Sequence, residues 1–135
     1  MRVGIRQFSY VWPLVFILVL VVDAFVPSFG IALALFYLAT TTAGSLAIYT
    51  LERQRLIDYL YLRYPAEWKR LTFRFISSVQ QPWLYSFARS KIDYGDSKLV
   101  MLKRSFRQAE WLALAVFLHQ PLVLGILFWR LARMG

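Results

Sequence analysis

Residues 8–51 read FSYVWPLVFILVLVVDAFVPSFGIALALFYLATTTAGSLAIYTL, a run of 44 side chains in which Asp23 is the single formal charge. Drawn as one α-helix at 1.5 Å per residue, the run would be about 66 Å long, roughly twice the hydrocarbon core of a bilayer. It therefore has to fold back. Pro27-Ser28-Phe29-Gly30 supplies the break, because proline and glycine interrupt a helix and favour a tight turn. The stretch reads as two spans, at residues 8–26 and 31–51, joined by an uncharged hairpin.

A third apolar run, Trp111 to Trp129, lies between Glu110 and Arg130 and has the length of another crossing. The whole chain agrees with these spans. Of 135 residues, 59% are hydrophobic and 17% charged, and the mean hydropathy is +0.52, the direction in which burial in lipid shifts a composition and not that of a soluble domain. The long apolar run after Arg2 and Arg6, despite the small residues at Ala32-Leu33-Ala34, is too extended for the core of a cleaved signal peptide.

The sixteen basic residues set the expected orientation. Arg2 and Arg6 precede the first span, twelve lie between Arg53 and Arg107, and Arg130 and Arg133 follow the third. The positive-inside rule puts the N-terminus and the central segment in the cytoplasm and the C-terminus outside. Three regions follow: a transmembrane hairpin at 1–51, a cytoplasmic or interfacial helical segment at 52–108, and a C-terminal transmembrane helix at 109–135. The expected fold is an all-α integral membrane protein with three transmembrane helices and a basic, aromatic-rich amphipathic segment between the second and third.

That segment, residues 52–110, carries twelve basic and six acidic side chains interleaved with Tyr59, Tyr61, Tyr64, Trp68, Phe73, Phe75, Trp83, Tyr85, Phe87 and Tyr94. Both residue types place an apolar stem in the interface and a polar tip in water. Leu56, Leu60 and Tyr64 at four-residue spacing extend the second span until Pro65, which ends that helix and starts another. Trp68, Leu71 and Phe75 form a further stripe beside Lys69, Arg70 and Arg74. The pattern breaks over Ser77–Pro82, and a short piece begins at Trp83. Tyr94-Gly95-Asp96-Ser97 reads as a turn plus N-cap, after which Leu99, Leu102, Phe106 and Ala113 keep helical spacing into the third span, predicting one helix of about 35 residues. Arg53, Arg55, Lys69, Arg70, Arg74, Lys103, Arg104 and Arg107 are the candidate contacts to anionic lipid or to an acidic partner surface; topology control explains the same residues without any ligand. No nucleic-acid-binding motif accompanies them.

Inside the spans, three features carry chemistry. His119 sits nine residues from Glu110 and eleven from Arg130, near the expected midplane, where an imidazole either bonds a neighbouring helix beside Pro121 or ligates a cofactor. Ala115, four residues earlier, gives a spacing that resembles the light-harvesting polypeptides, a resemblance that implies haem or bacteriochlorophyll on His119. Asp23, four residues before Pro27, reads as an outer-interface carboxylate rather than a proton relay. The second span repeats small residues at intervals of four, in Ala39, Ala43 and Ala47, in Thr40 and Gly44, and in Thr41 and Ser45. Such a surface lets backbones approach and hydroxyls bond across the contact, so this span is the expected packing hub, for its own neighbours or for another protein.

The chain has no cysteine and one histidine, which excludes disulfides, iron–sulfur clusters and thiolate zinc sites. With no glycine-rich phosphate loop and no nucleophile–His–acid spacing, catalysis is not expected. The order of features from Leu60 to Trp68, then Trp83-Leu84-Tyr85 with Arg89, Asp93 and Asp96, then Lys103-Arg104 and Arg107 before Glu110-Trp111, resembles the universal stress protein B family of small bacterial membrane proteins. That resemblance covers about half the chain and implies a stress-associated inner-membrane protein, with no site residues to carry over; the extra N-terminal span departs from the family's pattern. The leading expectation is a noncatalytic accessory subunit docking on a larger membrane complex of respiratory or photosynthetic type. A cofactor-binding subunit and a lipid-responsive stress protein are the alternatives.

Overall fold

A computed structural model describes residues 3–25, 27–72 and 81–134. They form five helices: α1 (Val3–Phe25), α2 (Pro27–Arg63), α3 (Pro65–Thr72), α4 (Gln81–Arg89) and α5 (Ser97–Met134). No strand occurs among the described residues. Three helices are long and apolar enough to cross a membrane, over Gly4–Val22, Ile31–Arg63 and Ser97–Ile126. The fold is all-helical and compatible with a multi-pass membrane protein.

The break in the long apolar run falls earlier than the sequence suggests. Pro27 is the first residue of α2, and Ser28, Phe29 and Gly30 continue the helix instead of forming a turn. Proline is accommodated there because the first turn of a helix has no partner for the missing N–H. Pro65 repeats the device as the first residue of α3, separated from the end of α2 by Tyr64. The 38-residue α5 starts at Ser97, close to the predicted start and length. Helices α2 and α5 both run straight through the boundaries drawn at 51/52 and 108/109, in keeping with the helical spacing of Leu56, Leu60 and Tyr64 and of Leu99, Leu102 and Phe106. Arg74, Phe75 and the expected break before Gln81 lie outside the described residues, as does the side chain of Asp23.

Helix α2 runs antiparallel to both α1 and α5 and joins them. One end is sealed by Leu56 and Leu60 of α2, Leu71 of α3, Leu84, Phe87 and Ala88 of α4, and Leu99, Leu102 and Phe106 of α5. Further along, Ile5 of α1 meets Ala109 and Leu112 of α5. At the far end Val19, Ala34, Tyr37 and Val123 close the three-helix contact. The outer faces stay apolar, with Leu14, Leu18, Phe36 and Phe117 each well exposed. Lipid satisfies such faces, whereas water would drive them together.

The bundle face of α2 takes up only part of the small-residue pattern. Ala34, Tyr37, Thr41 and Ser45 are the buried positions, while Ala39, Thr40, Ala43 and Ala47 are exposed. Of the seven small residues expected to form the hub, Thr41 and Ser45 are thus on the bundle face, and Gly44 meets α1: a Cβ there would lie 2.5 Å from Phe8 Cε2, so the Phe8 ring occupies the space that glycine leaves. The hydroxyls also behave differently from expectation. Thr40 donates to Phe36 O at 2.8 Å, Thr41 to Tyr37 O at 2.7 Å and Ser45 to Thr42 O at 3.0 Å, all within their own helix. An intrahelical carbonyl three or four residues back is always in reach of such a short side chain and wins over a partner on the next helix. Among the described threonines and serines of α2, Thr42 also bonds across, accepting from Gln120 Nε2 of α5.

Candidate functional site

Polar chemistry gathers at three levels of the bundle. At the level of Tyr37, His119 Nε2 lies 3.1 Å from the Tyr37 hydroxyl. The imidazole stands edge-on to Phe16, with ring centroids 4.5 Å apart, and to Trp12 at 5.2 Å. All three spanning helices thus contribute to one ring's surroundings. Apolar stretches of α1 and α2 hold the aromatics, and a polar ring inside such a bundle is stable when a partner satisfies its nitrogen. A haem or bacteriochlorophyll on Nε2 would have to displace Tyr37, so the residues present do not offer that nitrogen as an open ligand. Sequence spacing could not identify Tyr37 as the partner, which lies 82 residues away.

Beside this cluster the α2–α5 surface opens into a groove of about 440 Å³, lined by Leu38, Ala39, Thr42, Ala43, Leu46, Gln120 and Leu124. The alanines form its wall because they are too short to close it. The bonded pair Gln120–Thr42 places an amide and a hydroxyl on a surface that is otherwise hydrocarbon.

The third level is the end formed by α3, α4 and the start of α5. The backbone enters α5 through Tyr94 and Gly95, both at positive φ (52° and 70°). Asp96 then caps the helix, its Oδ1 accepting from the backbone N–H groups of Lys98 at 2.9 Å and Leu99 at 3.2 Å. Its Oδ2 accepts from the hydroxyls of Tyr59 at 2.7 Å and Tyr64 at 2.8 Å. These two hydroxyls, with the capping N–H groups, hold the Asp96 carboxyl down at about 2, and the same carboxylate pushes the Tyr64 hydroxyl up to about 12. Tyr94 stacks on Tyr64 and donates to Glu67 at 2.6 Å, which raises the Tyr94 hydroxyl above its ordinary range. Asp96 therefore ties α2 to the start of α5.

The sign of the resulting pH dependence is fixed by that depression. A carboxyl held lower in the folded chain than in the unfolded one stabilises the fold above its ordinary value of 3.8, and this contribution disappears as pH falls through about 2. Thermal unfolding of the detergent-solubilised chain should lose stability between those values more steeply for wild type than for Asp96→Asn, whose amide does not titrate. Parallel curves would show that Asp96 is not linked to folding.

The basic residues divide sharply. Arg55 pairs with Glu52 at 2.5 Å, Arg70 with Glu67 at 3.0 Å, and Arg89 with Glu110 at 2.5 Å. Arg53 is half-buried, and its Nε has no hydrogen-bond partner among the described residues. Lys69, Arg104 and Arg107 are exposed. Lys103 departs from expectation: it is 4% exposed, and its ammonium donates to Ser90 O at 2.9 Å, Ile92 O at 2.8 Å and Ser90 Oγ at 3.2 Å, over the Phe87 ring. It clamps the loop after α4 and is not a lipid contact, because the chain's own oxygens take up its N–H groups. Tyr49 and Tyr85 add a hydroxyl pair at 2.6 Å between α2 and α4, which sequence reading also missed. Among the described residues no group of three or more His, Cys, Asp or Glu could hold a metal ion.

Compared with known proteins, the chain matches no family model, no curated protein and no solved structure.

Proposed function

We propose that the chain is a noncatalytic accessory subunit that receives a transmembrane helix of a larger membrane complex, of respiratory or photosynthetic type, in the groove between α2 and α5. The observation that supports this reading is the placement of Ala39 and Ala43 on the outside of the bundle, beside Gln120 and Thr42. Small side chains let a second backbone approach closely, and polar groups in hydrocarbon gain from a protein neighbour more than from lipid tails. In this reading the chain sits in a bacterial inner membrane with its N-terminus in the cytoplasm, its C-terminus outside, and the basic, aromatic-rich α3–α4 end at the cytoplasmic headgroups.

The test is a photoreactive side chain introduced singly at Ala43 or at Leu118, in native membranes. Leu118 is 63% exposed and lies on a different face of α5 from Gln120 and Leu124. A protein adduct of one defined mass from Ala43 and none from Leu118 is expected. Equal lipid adducts from both would remove the docking role, and an adduct of two copies of this chain would make the partner a second copy. The cofactor reading predicts a visible band in the purified chain that His119→Ala abolishes. The lipid-responsive reading suggested by the stress-protein resemblance loses Lys103 to the clamp and retains Arg104 and Arg107.

A further inference from the structure

Carboxylates take up Arg55, Arg70 and Arg89, and main-chain oxygens take up Lys103. Arg104 and Arg107 are exposed, and among the described residues no carboxylate pairs with either. They are three residues apart on α5, so they stand one above the other on one face of the helix. The same face continues through Trp111, 66% exposed, and then Leu114, Leu118 and Leu122, all exposed. This strip changes from cationic to amphipathic aromatic to purely aliphatic in one direction along the helix.

We propose that this strip is a binding site for one anionic phospholipid, its phosphate held between Arg104 and Arg107, its glycerol region against Trp111, and an acyl chain along Leu114, Leu118 and Leu122. The dimensions agree: Arg107 to Leu122 spans about 22 Å at 1.5 Å per residue, the depth of one leaflet's hydrocarbon, about 15 Å, plus part of the headgroup layer. Guanidinium groups match phosphate oxygens with paired N–H donors, and tryptophan settles at the boundary between headgroups and tails. An acidic protein surface would complement the two arginines but not the aliphatic continuation below Trp111. The site is independent of the groove at Gln120 and Leu124, which lies on another face of α5, so either can fail without the other.

The full-length chain is reconstituted in phosphatidylcholine vesicles in which brominated acyl chains are carried either by phosphatidylcholine or by a minor phosphatidylglycerol component, and quenching of tryptophan fluorescence is compared. Wild type should prefer the anionic lipid by roughly fivefold or more, the factor expected for one basic group at the surface. The preference should fall towards one in the double variant Arg104→Gln, Arg107→Gln, and persist in Arg104→Lys, Arg107→Lys. It should also persist in Arg55→Gln, Arg70→Gln, which removes charges already paired. Trp111→Phe should remove most of the preferential quenching. No preference in wild type, an undiminished preference in the double Gln variant, or equal loss in the Arg55 and Arg70 variant would each overturn the site. Loss of a bound acidic protein in the double Gln variant, with lipid preference unchanged, would assign the arginines to a protein surface instead.

Discussion

Replacing Lys103 by methionine should destabilise the protein by about 3 kcal/mol, an effect out of proportion to a single exposed-looking lysine in a basic run. Methionine keeps most of the aliphatic stem, so packing against Phe87 survives. The loss is confined to the ammonium. Without it, the part-buried Ser90 and Ile92 carbonyls lose their charged donor at the position where the loop crosses α5, and losing hydrogen bonds to a charged group costs about 1.5–3 kcal/mol. The neighbouring Arg104→Met should change stability by no more than about 0.5 kcal/mol, because its side chain is exposed. Denaturant unfolding in mild detergent, followed by helical circular dichroism, measures both. Equal effects from the two variants would remove the clamp from the account.

A comparable loss, about 3–5 kcal/mol, is expected for Phe106→Ala in the same measurement. Phe106 is 0% exposed, and its ring lies 5.7 Å from both Tyr49 and Tyr85, whose hydroxyls bond each other. Truncation therefore opens a cavity under a hydrogen-bonded aromatic pair that is held by α2 on one side and α4 on the other. The pair cannot collapse inward without breaking its own bond, which places the variant towards the upper part of the range for large-to-small substitutions. Phe106→Leu refills most of the volume and should cost less than half as much. A small loss for Phe106→Ala would mean that the α2–α4–α5 end does not depend on this ring.

Span number and helix lengths were legible in the sequence because they depend on local properties: runs of apolar residues, proline at a first turn, and glycine and aspartate ahead of Ser97. The helix joining 97 to the third span followed from uninterrupted spacing through Leu99, Leu102 and Phe106. The place of the hairpin was not legible, because proline reads as a helix breaker in sequence yet is tolerated where a helix begins, as Pro27 is here. Which face of α2 packs was not legible. Alanines at 39, 43 and 47 and the pair Thr41 and Ser45 all repeat every four residues, and the choice between them is made by Tyr37, Phe8 and the helices they touch.

Lys103 and Arg104 show the same limit for charge. Adjacent in sequence and alike in type, they point to different sides of α5, one into the loop after α4 and the other outward. A positive-charge count treats them as equal, and only the register of the helix against Ser90 separates them. Likewise His119 announced itself as a polar group in a span, but its partner on α2 and its aromatic walls on α1 depend on the way three helices align.

The docking role is decided by native purification of the tagged full-length chain from its own membrane in mild detergent, beside its Ala43→Leu variant. Leucine fills the groove yet stands clear of Tyr37 and His119, so the variant should insert and fold in normal amount. A partner recovered with wild type in fixed stoichiometry and lost from Ala43→Leu is the predicted result. Wild type recovered alone, or the same partner held equally by both chains, would contradict it.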